Sequence, residues 1–229
     1  MKDTNKQVLS PLTKLFLRLG VGFMAGVLLI FLFAKLAEGL LYNELETFDL
    51  AVGNYVRSFA NGGLTRAAIF VTTLGSATVE ISLFLIVGWF LYFRLKHTWE
   101  PVILAVTLAG CWVLNEVLKA FFQRSRPDIE HLVEAGGYSF PSGHAMISAA
   151  FYGMLGYLLW LNLRDHSRPL WYVWPLALLL VFSIGLSRIY LGVHFPSDVI
   201  GGFAAGGAWL IACIMGLEGI RYYKGREQM

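Results

Sequence analysis

The sequence is short of charge. Only 14% of its 229 residues are Asp, Glu, Lys or Arg, whereas a soluble domain carries about 25%. Hydrophobic residues make up 57% of the chain, and its mean hydropathy is +0.62. A water-soluble fold of this size has too little interior to bury so much apolar surface, and a disordered segment needs the opposite composition. The composition therefore excludes a soluble enzyme and a disordered binding module, and it predicts an integral membrane protein.

Cysteines, repeats and linkers are scarce as well. The two cysteines, Cys111 and Cys213, both lie within apolar runs, so each is interpreted as a small buried hydrophobe and not as half of a disulfide. The sequence shows no repeat at a fixed period and no low-complexity linker. We therefore expect a single integral membrane domain over residues 1–229.

Long apolar runs are what the sequence does have. A helix needs roughly 20 apolar residues to cross a bilayer. Six runs approach or exceed this length, namely 17–41, 67–93, 101–122, 145–163, 170–187 and 199–219. They predict an all-α polytopic membrane protein, built as a bundle of six transmembrane helices.

The basic residues set the expected orientation. With the N-terminus in the cytoplasm, 11 of the 18 Lys and Arg residues fall in inner segments, as the positive-inside rule requires. Both termini are therefore predicted to be cytoplasmic. Residues 44–66, between the first two spans, are amphipathic, with Asp49, Asn54 and Arg57 among apolar residues, and this segment is predicted to lie in the outer interface.

Polar residues are costly at membrane depth, and here they gather at the predicted outer ends of spans three to six. The first group, KAFFQRSRP, holds Lys119 and Arg126; the second, PSGH, holds Ser142, Gly143 and His144; the third, SRIYLGVHFPSD, holds Arg188, His194 and Asp198. Under the predicted topology all three groups lie on one side of the membrane, so we expect them to form one site.

The cations of these groups indicate a phosphate site. Lys119, Arg126 and Arg188 have few acidic neighbours, and an oxyanion with two or more charges would satisfy them. Ser142 and Gly143 precede a predicted helix, where free backbone N–H groups and the helix dipole favour an anion. Arg124, adjacent to the first group, is interpreted as a lipid-headgroup contact or as a residue without a role.

Two histidines and an aspartate complete the predicted site. A spacing of four residues lets Asp198 accept a hydrogen bond from one ring nitrogen of His194 and leaves the other nitrogen free as a nucleophile. His144, at the start of another helix, is placed to protonate a departing alkoxide. The set predicts phosphoryl transfer through a phosphohistidine, with no metal and no other cofactor required.

Together the groups resemble the signature motifs of the type 2 phosphatidic acid phosphatase family of membrane lipid phosphatases. All three match without substitution, in the family's order, over about the C-terminal half of the chain. The resemblance implies a six-helix fold. Combined with the predicted topology, it leads us to expect a bacterial plasma-membrane protein whose active site faces outside. It implies phosphate binding by Lys119, Arg126, Ser142, Gly143 and Arg188, with His194 as nucleophile, Asp198 as its orienting carboxylate and His144 as general acid.

Within this family, the chain's length and layout are most similar to bacterial phosphatidylglycerophosphatases and undecaprenyl-diphosphate phosphatases. The expected activity is hydrolysis of the terminal phosphate of a membrane lipid, with phosphatidylglycerophosphate favoured over undecaprenyl diphosphate. The expected partner is that lipid within the bilayer, with no nucleic acid and no obligate protein partner.

Two other classes of function stay open. A vanadate-dependent haloperoxidase resembles the family at the phosphate cradle, that is, at the five phosphate-binding residues named above. The membrane composition argues against this class. A non-enzymatic lipid or phosphate transporter would use the cradle for binding alone, and it leaves His194 and Asp198 without a role.

Overall fold

The computed structural model describes residues 11–163 and 171–227, and its helices follow the apolar runs of the sequence. The helices are α1 (Pro11–Leu41), α2 (Glu46–Arg57), α3 (Gly62–Leu74), α4 (Ala77–Trp89), α5 (Trp99–Phe122), α6 (Gly143–Leu163), α7 (Val173–Tyr190) and α8 (Pro196–Glu227), and a π-helical turn, Phe90–Arg94, extends α4. Six of these, α1 and α4 to α8, are long and apolar enough to cross a membrane. The predicted all-α bundle with six spans is confirmed.

Helix α6 lies at the centre of the bundle, packed against α5, α7 and α8, while α1 packs along α8. Small residues bring α6 and α8 close together. A Cβ atom on Gly202 would lie 2.7 Å from the Ser142 carbonyl oxygen, and one on Gly206 would overlap the Met146 carbonyl. Close backbone approach of this kind holds helices together where lipid removes the hydrophobic driving force.

The second span is divided, so the prediction of one continuous helix over 67–93 is wrong. Helix α3 ends at a Gly75 cap, and Ser76 caps α4 by accepting a hydrogen bond from a backbone amide of its first turn at 3.5 Å. Packing explains the break, since a Cβ on Gly75 would lie 2.6 Å from Ile184 Cγ2 and 2.9 Å from Ser148 Oγ. The chain changes helix where it passes closest to α6 and α7.

Helix α2 buries one acidic residue, Asp49, and leaves large apolar side chains exposed. Phe48 and Tyr55 are 40% and 67% exposed, whereas Asp49 is 2% exposed. The Asp49 carboxylate accepts hydrogen bonds from the amide and the hydroxyl of Ser197 at 2.8 and 2.7 Å. An interfacial amphipathic helix ordinarily keeps such a group in water, but here it anchors α2 to the start of α8.

Helices α5 and α7 end, and α6 and α8 begin, at the same end of the bundle. The Ser142 amide, just before α6, donates a hydrogen bond to the Asp198 carbonyl in the first turn of α8 at 3.0 Å. The three polar groups of the sequence therefore meet in one place. Of the basic residues used to predict the orientation, Lys2, Lys6, Arg164 and Arg168 lie outside the described residues.

Candidate active site

The loop 191–195 and the first turn of α8 bring His194 and Asp198 together. Gly192 adopts φ +78°, a conformation that favours glycine, and Pro196 begins α8, as its fixed φ allows. Both His194 and Asp198 are buried, and His194 Nδ1 lies 3.5 Å from Asp198 Oδ2. The predicted pair is thus present in the fold.

Ser139 joins this pair from the loop before α6. Its hydroxyl donates to Asp198 Oδ2 at 2.5 Å, and its Oγ lies 3.3 Å from His194 Nδ1. Because the serine hydrogen points to the carboxylate, Nδ1 faces two acceptors and is assigned as the protonated ring nitrogen from this network. The Nε2 atom of His194 then carries the lone pair that a nucleophile needs.

Arg126 lies on the Nε2 side of the His194 ring. Its Nη1 is 3.2 Å from Nε2 and donates to the Val193 carbonyl at 2.7 Å. The carbonyls of Gly136 and Gly137 accept two further hydrogen bonds from this guanidinium, at 2.7 and 3.1 Å. The backbone therefore holds a cation beside the point where a phosphoryl group would bond to Nε2.

The start of α6 lies against the last turns of α5. A Cβ on Gly143 would be 2.9 Å from Asn115 Oδ1 and 3.6 Å from Lys119 Nζ. Glycine at this position therefore leaves room for the Asn115 side chain, and the Lys119 ammonium lies nearby, next to the N-terminus of α6. That arrangement combines a side-chain cation with the free N–H groups of a helix start, which together favour an anion.

Arg188 reaches the site from the last turn of α7. It is buried, and its Nη1 donates to Thr72 Oγ1 of α3 at 2.8 Å. Within the described residues, three buried side-chain polar atoms lack a hydrogen-bond partner, and two of them are Arg188 Nε and Ser142 Oγ. Leaving a buried donor unpaired is costly, so each of these two atoms lacks a partner that an oxyanion could supply.

His144 lies in the first turn of α6. The charges of Arg188, Lys119 and Arg126, and the imidazole of His194, all act on its ring. The structure thus brings together all eight residues that the sequence placed in the site. The role of each residue stays a prediction.

Burial governs the charge of His194. It lowers the pKa of this imidazole to about 4, against the opposing effect of the hydrogen bond and charge of Asp198. At neutral pH the ring is therefore neutral, and Nε2, next to Arg126 Nη1, carries a lone pair and no proton.

Arg124 binds two carboxylates of the protein, partners that the sequence did not indicate. Its Nη1 donates to Asp198 Oδ1 at 2.6 Å and its Nη2 donates to Asp49 Oδ2 at 2.6 Å. The ring of Phe195 lies under the guanidinium, 4.1 Å from its central carbon. The sequence did not indicate these contacts because α2, which is distant along the chain, covers this side of the site and supplies the buried carboxylate of Asp49.

A cavity of about 450 Å³ opens beside His194. His194, Arg124 and Arg126 form part of its wall, and the end of α1, helix α2 and the loop after α5 form much of the rest. Cavities of this size hold small ligands. The cavity reaches the site at His194 and Arg126, whereas its lining does not include Lys119, Ser142, Gly143, His144 or Arg188.

The comparison of sequences identifies the family. Residues 100–219, which contain all three polar groups, match the PAP2 superfamily. The chain belongs to the PAP2 superfamily. It is 33% identical to phosphatidylglycerophosphatase B of Bacillus subtilis over 79% of this chain and 88% of that protein. It is 32% identical to an undecaprenyl-diphosphatase of Sulfolobus acidocaldarius over 56% of this chain and 60% of that protein.

A solved structure of the PAP2 superfamily shows the same fold. The crystal structure of a transmembrane PAP2-type phosphatidylglycerolphosphate phosphatase from Bacillus subtilis matches with a TM-score of 0.81 at 32% identity. The match covers 85% of this chain and 96% of the other. This protein is therefore a membrane phosphatase of the PAP2 superfamily and a homologue of phosphatidylglycerophosphatase B.

Sequence reasoning missed four residues of this PAP2 site, namely Asp49, Thr72, Arg124 and Ser139. Two of them carry a signal that was available. Arg124 is two residues from Arg126, and Ser139 is three residues before Ser142. Asp49 and Thr72 have no such signal, because they belong to α2 and α3 and reach the site through tertiary packing.

Proposed function

We propose that this protein is a membrane lipid phosphatase that removes the terminal phosphate of phosphatidylglycerophosphate. The observation that carries the proposal is the pair of unpartnered buried donors, Ser142 Oγ and Arg188 Nε, together with the unprotonated Nε2 of His194 beside Arg126. The similarity to phosphatidylglycerophosphatase B over most of both chains supports this lipid as the substrate.

The proposed reaction proceeds in two steps. His194 Nε2 attacks phosphorus, so a P–N bond forms while the P–O bond to the lipid breaks, and His144 gives a proton to the departing oxygen. Water then attacks the phosphorus of the phosphohistidine, so a new P–O bond forms while the P–N bond breaks and its electron pair returns to Nε2. His144 takes up a proton from that water, and inorganic phosphate leaves. Neither step calls for a metal or other cofactor.

The cations act on the charge of the phosphoryl group. Lys119, Arg126 and Arg188 surround the phosphoryl oxygens, whose charge is spread in the transition state. Ser142 and the backbone at Gly143 add neutral donors. Asp198 holds the Nδ1–H form of His194 and stabilises the cation that forms on the ring during attack.

We further propose that both termini lie in the cytoplasm and that the site faces the outside of a bacterial plasma membrane. The distribution of basic residues along the chain supports this orientation. The lipid is the partner in this proposal, and its headgroup reaches His194 through the cavity beside α2.

Undecaprenyl diphosphate is the second candidate substrate. The similarity to an undecaprenyl-diphosphatase supports it. Both lipids present a terminal phosphate on an apolar anchor, so the phosphate cradle binds them by the same contacts, and their rates must be compared directly.

The test is release of inorganic phosphate by detergent-purified protein in the presence of EDTA. Phosphatidylglycerophosphate, undecaprenyl diphosphate and phosphatidic acid are assayed side by side. We expect the fastest release from phosphatidylglycerophosphate, no effect of EDTA, and a loss of about 10⁴-fold or more in His194→Ala, since the nucleophile is removed.

The matched control is His97→Ala, which changes a histidine at the opposite end of the bundle and should leave the rate within about twofold. Substantial turnover by His194→Ala contradicts the mechanism, and inhibition by EDTA contradicts metal independence. Absence of release from all three lipids favours a transporter, and halide oxidation with vanadate and peroxide favours a haloperoxidase.

A further inference from the structure

The Asp198 carboxylate uses its two oxygens for different partners. Its Oδ2 accepts hydrogen bonds from Ser139 and from the Phe195 amide and faces Nδ1 of His194. Its Oδ1 accepts from Arg124 Nη1 at 2.6 Å. With one oxygen bound by the guanidinium, the carboxylate cannot rotate away from the His194 ring without breaking a charged hydrogen bond.

The same guanidinium is held from the other side by α2. Arg124 Nη2 donates to Asp49 Oδ2 at 2.6 Å, and Nη1 also donates to Ser197 Oγ at 2.7 Å. Ser197 itself donates to Asp49 through both its amide and its hydroxyl. The planar fork of Arg124 is therefore fixed by two elements that are distant in sequence.

The cluster carries one positive and two negative charges, all nearly or fully buried. Because Asp49 shares the charge of Arg124, the guanidinium does not neutralise Asp198 alone. Asp198 thus keeps the negative charge that favours the Nδ1–H form of His194 and the cation formed during attack.

We propose that Arg124 is a positioning residue for phosphoryl transfer: by joining Asp49 of α2 to Asp198, it holds the carboxylate that orients the nucleophilic ring of His194. The proposal rests on the proposed function, in which His194 attacks phosphorus. Arg124 acts through Asp198, and its side chain is engaged by carboxylates and not by the phosphate cradle.

The first experiment compares Arg124→Gln with wild type by kcat and KM for the lipid that turns over fastest. We expect kcat to fall by about 100-fold and KM to change by less than about threefold, because orientation is lost while the cradle is retained. Arg124→Lys keeps the charge but not the fork, and should recover about tenfold in kcat. Arg66→Gln is the matched control, an exposed arginine of α3, and should stay within about twofold.

A second set of variants separates positioning from folding. Arg124→Gln leaves Asp49 without its ion pair, so the double variant Arg124→Gln/Asp49→Asn is made as well. This double variant has the same net charge in the cluster as the wild type. We expect it to purify and melt like wild type and still to show low kcat. Recovery of wild-type kcat would overturn the proposal, since Arg124 would then merely neutralise Asp49.

Coupling to Asp198 is tested in the Asp198→Asn background. There Arg124→Gln should lower kcat by less than about threefold further, because its effect passes through the carboxylate that is already altered. A further loss of about 100-fold would show an independent role and contradict the proposal.

A readout without turnover separates this proposal from the proposed function. Nitrogen-15 spectra of labelled histidine, assigned with His194→Ala, report which ring nitrogen of His194 carries the proton. We expect the Nδ1–H form in wild type and a mixture of both tautomers in Arg124→Gln and in the double variant. An unchanged tautomer would overturn the positioning role, whether or not the wild type hydrolyses the lipids tested.

Discussion

At the scale of single residues, the site combines groups that burial alone would disfavour. His194 and Asp198 are buried in a membrane protein next to several cations. The His194 ring stays neutral because burial acts on it more strongly than the charge of Asp198. The carboxylate stays ionised because Arg124, Ser139 and the Phe195 amide all donate to it. His194 and Asp198 are thus held in the charge states that the proposed attack on phosphorus needs.

The pKa of His194 leads to a prediction at this scale. With burial lowering that pKa to about 4, the imidazole signal lost in His194→Ala should titrate about 2.5 pH units below a free imidazole. Nitrogen-15 spectra recorded from pH 3.5 to 8 would measure the midpoint. Between pH 4 and 6.5 the unfolded state binds the additional proton, so the contribution of His194 to the free energy of unfolding rises with pH in that window. A midpoint near 6.5 or above would contradict this account.

At the scale of helices, two departures from regular packing shape the site. The break at Gly75 brings α3 beside the last turn of α7, where Thr72 binds Arg188. The inward orientation of Asp49 brings this carboxylate of α2 to the start of α8. In both cases the irregular arrangement makes a contact that holds a charged side chain in place, Arg188 in the first case and Asp49 in the second.

Gly75→Ala tests the first of these departures. The added methyl group would lie 2.6 Å from Ile184 Cγ2 and 3.2 Å from His144 Cδ2. Either the backbone at Gly75 or the side chains of Ile184 and His144 must therefore shift. We expect a loss of about 1–3 kcal/mol in stability and a fall of about tenfold or more in kcat, measured by thermal unfolding and phosphate release. Gly62→Ala, where a Cβ meets nothing within 4 Å, is the control and should change stability by less than about 0.5 kcal/mol. Equal behaviour of the two variants would show that Gly75 is not constrained by packing.

At the scale of the whole molecule, polar contacts gather at the two ends of the bundle. At the end opposite the site, Arg221 binds Glu100 at 2.8 Å and Arg18 lies 3.5 Å from Glu218. Lys224 lies over the ring of Trp99, 5.1 Å from its centre. Aromatic side chains are enriched at both membrane interfaces, but basic residues are typical of the cytoplasmic one, so these basic residues agree with the proposed orientation.

Cysteine labelling tests that orientation in cells. Ser58→Cys lies in the exposed turn between α2 and α3 at the site end, and Tyr223→Cys replaces a side chain that is 71% exposed at the other end. The buried Cys111 and Cys213 should not react with a membrane-impermeant maleimide. We expect labelling of Ser58→Cys in intact cells, and of Tyr223→Cys after permeabilisation alone. The reverse pattern would place the site on the cytoplasmic face.

The amino-acid sequence was sufficient to predict the membrane class, the number of spans and the eight residues that meet in the candidate site. Composition and apolar run length are properties of short segments, and the three motifs carry their chemistry in local spacing, such as the four residues from His194 to Asp198. The tertiary structure decided what surrounds these residues. Asp49 and Arg124 are 75 positions apart in the sequence, and Gly75 packs against helices that follow much later in the chain. Contacts of this kind have no local sequence pattern, because they depend on how distant helices meet.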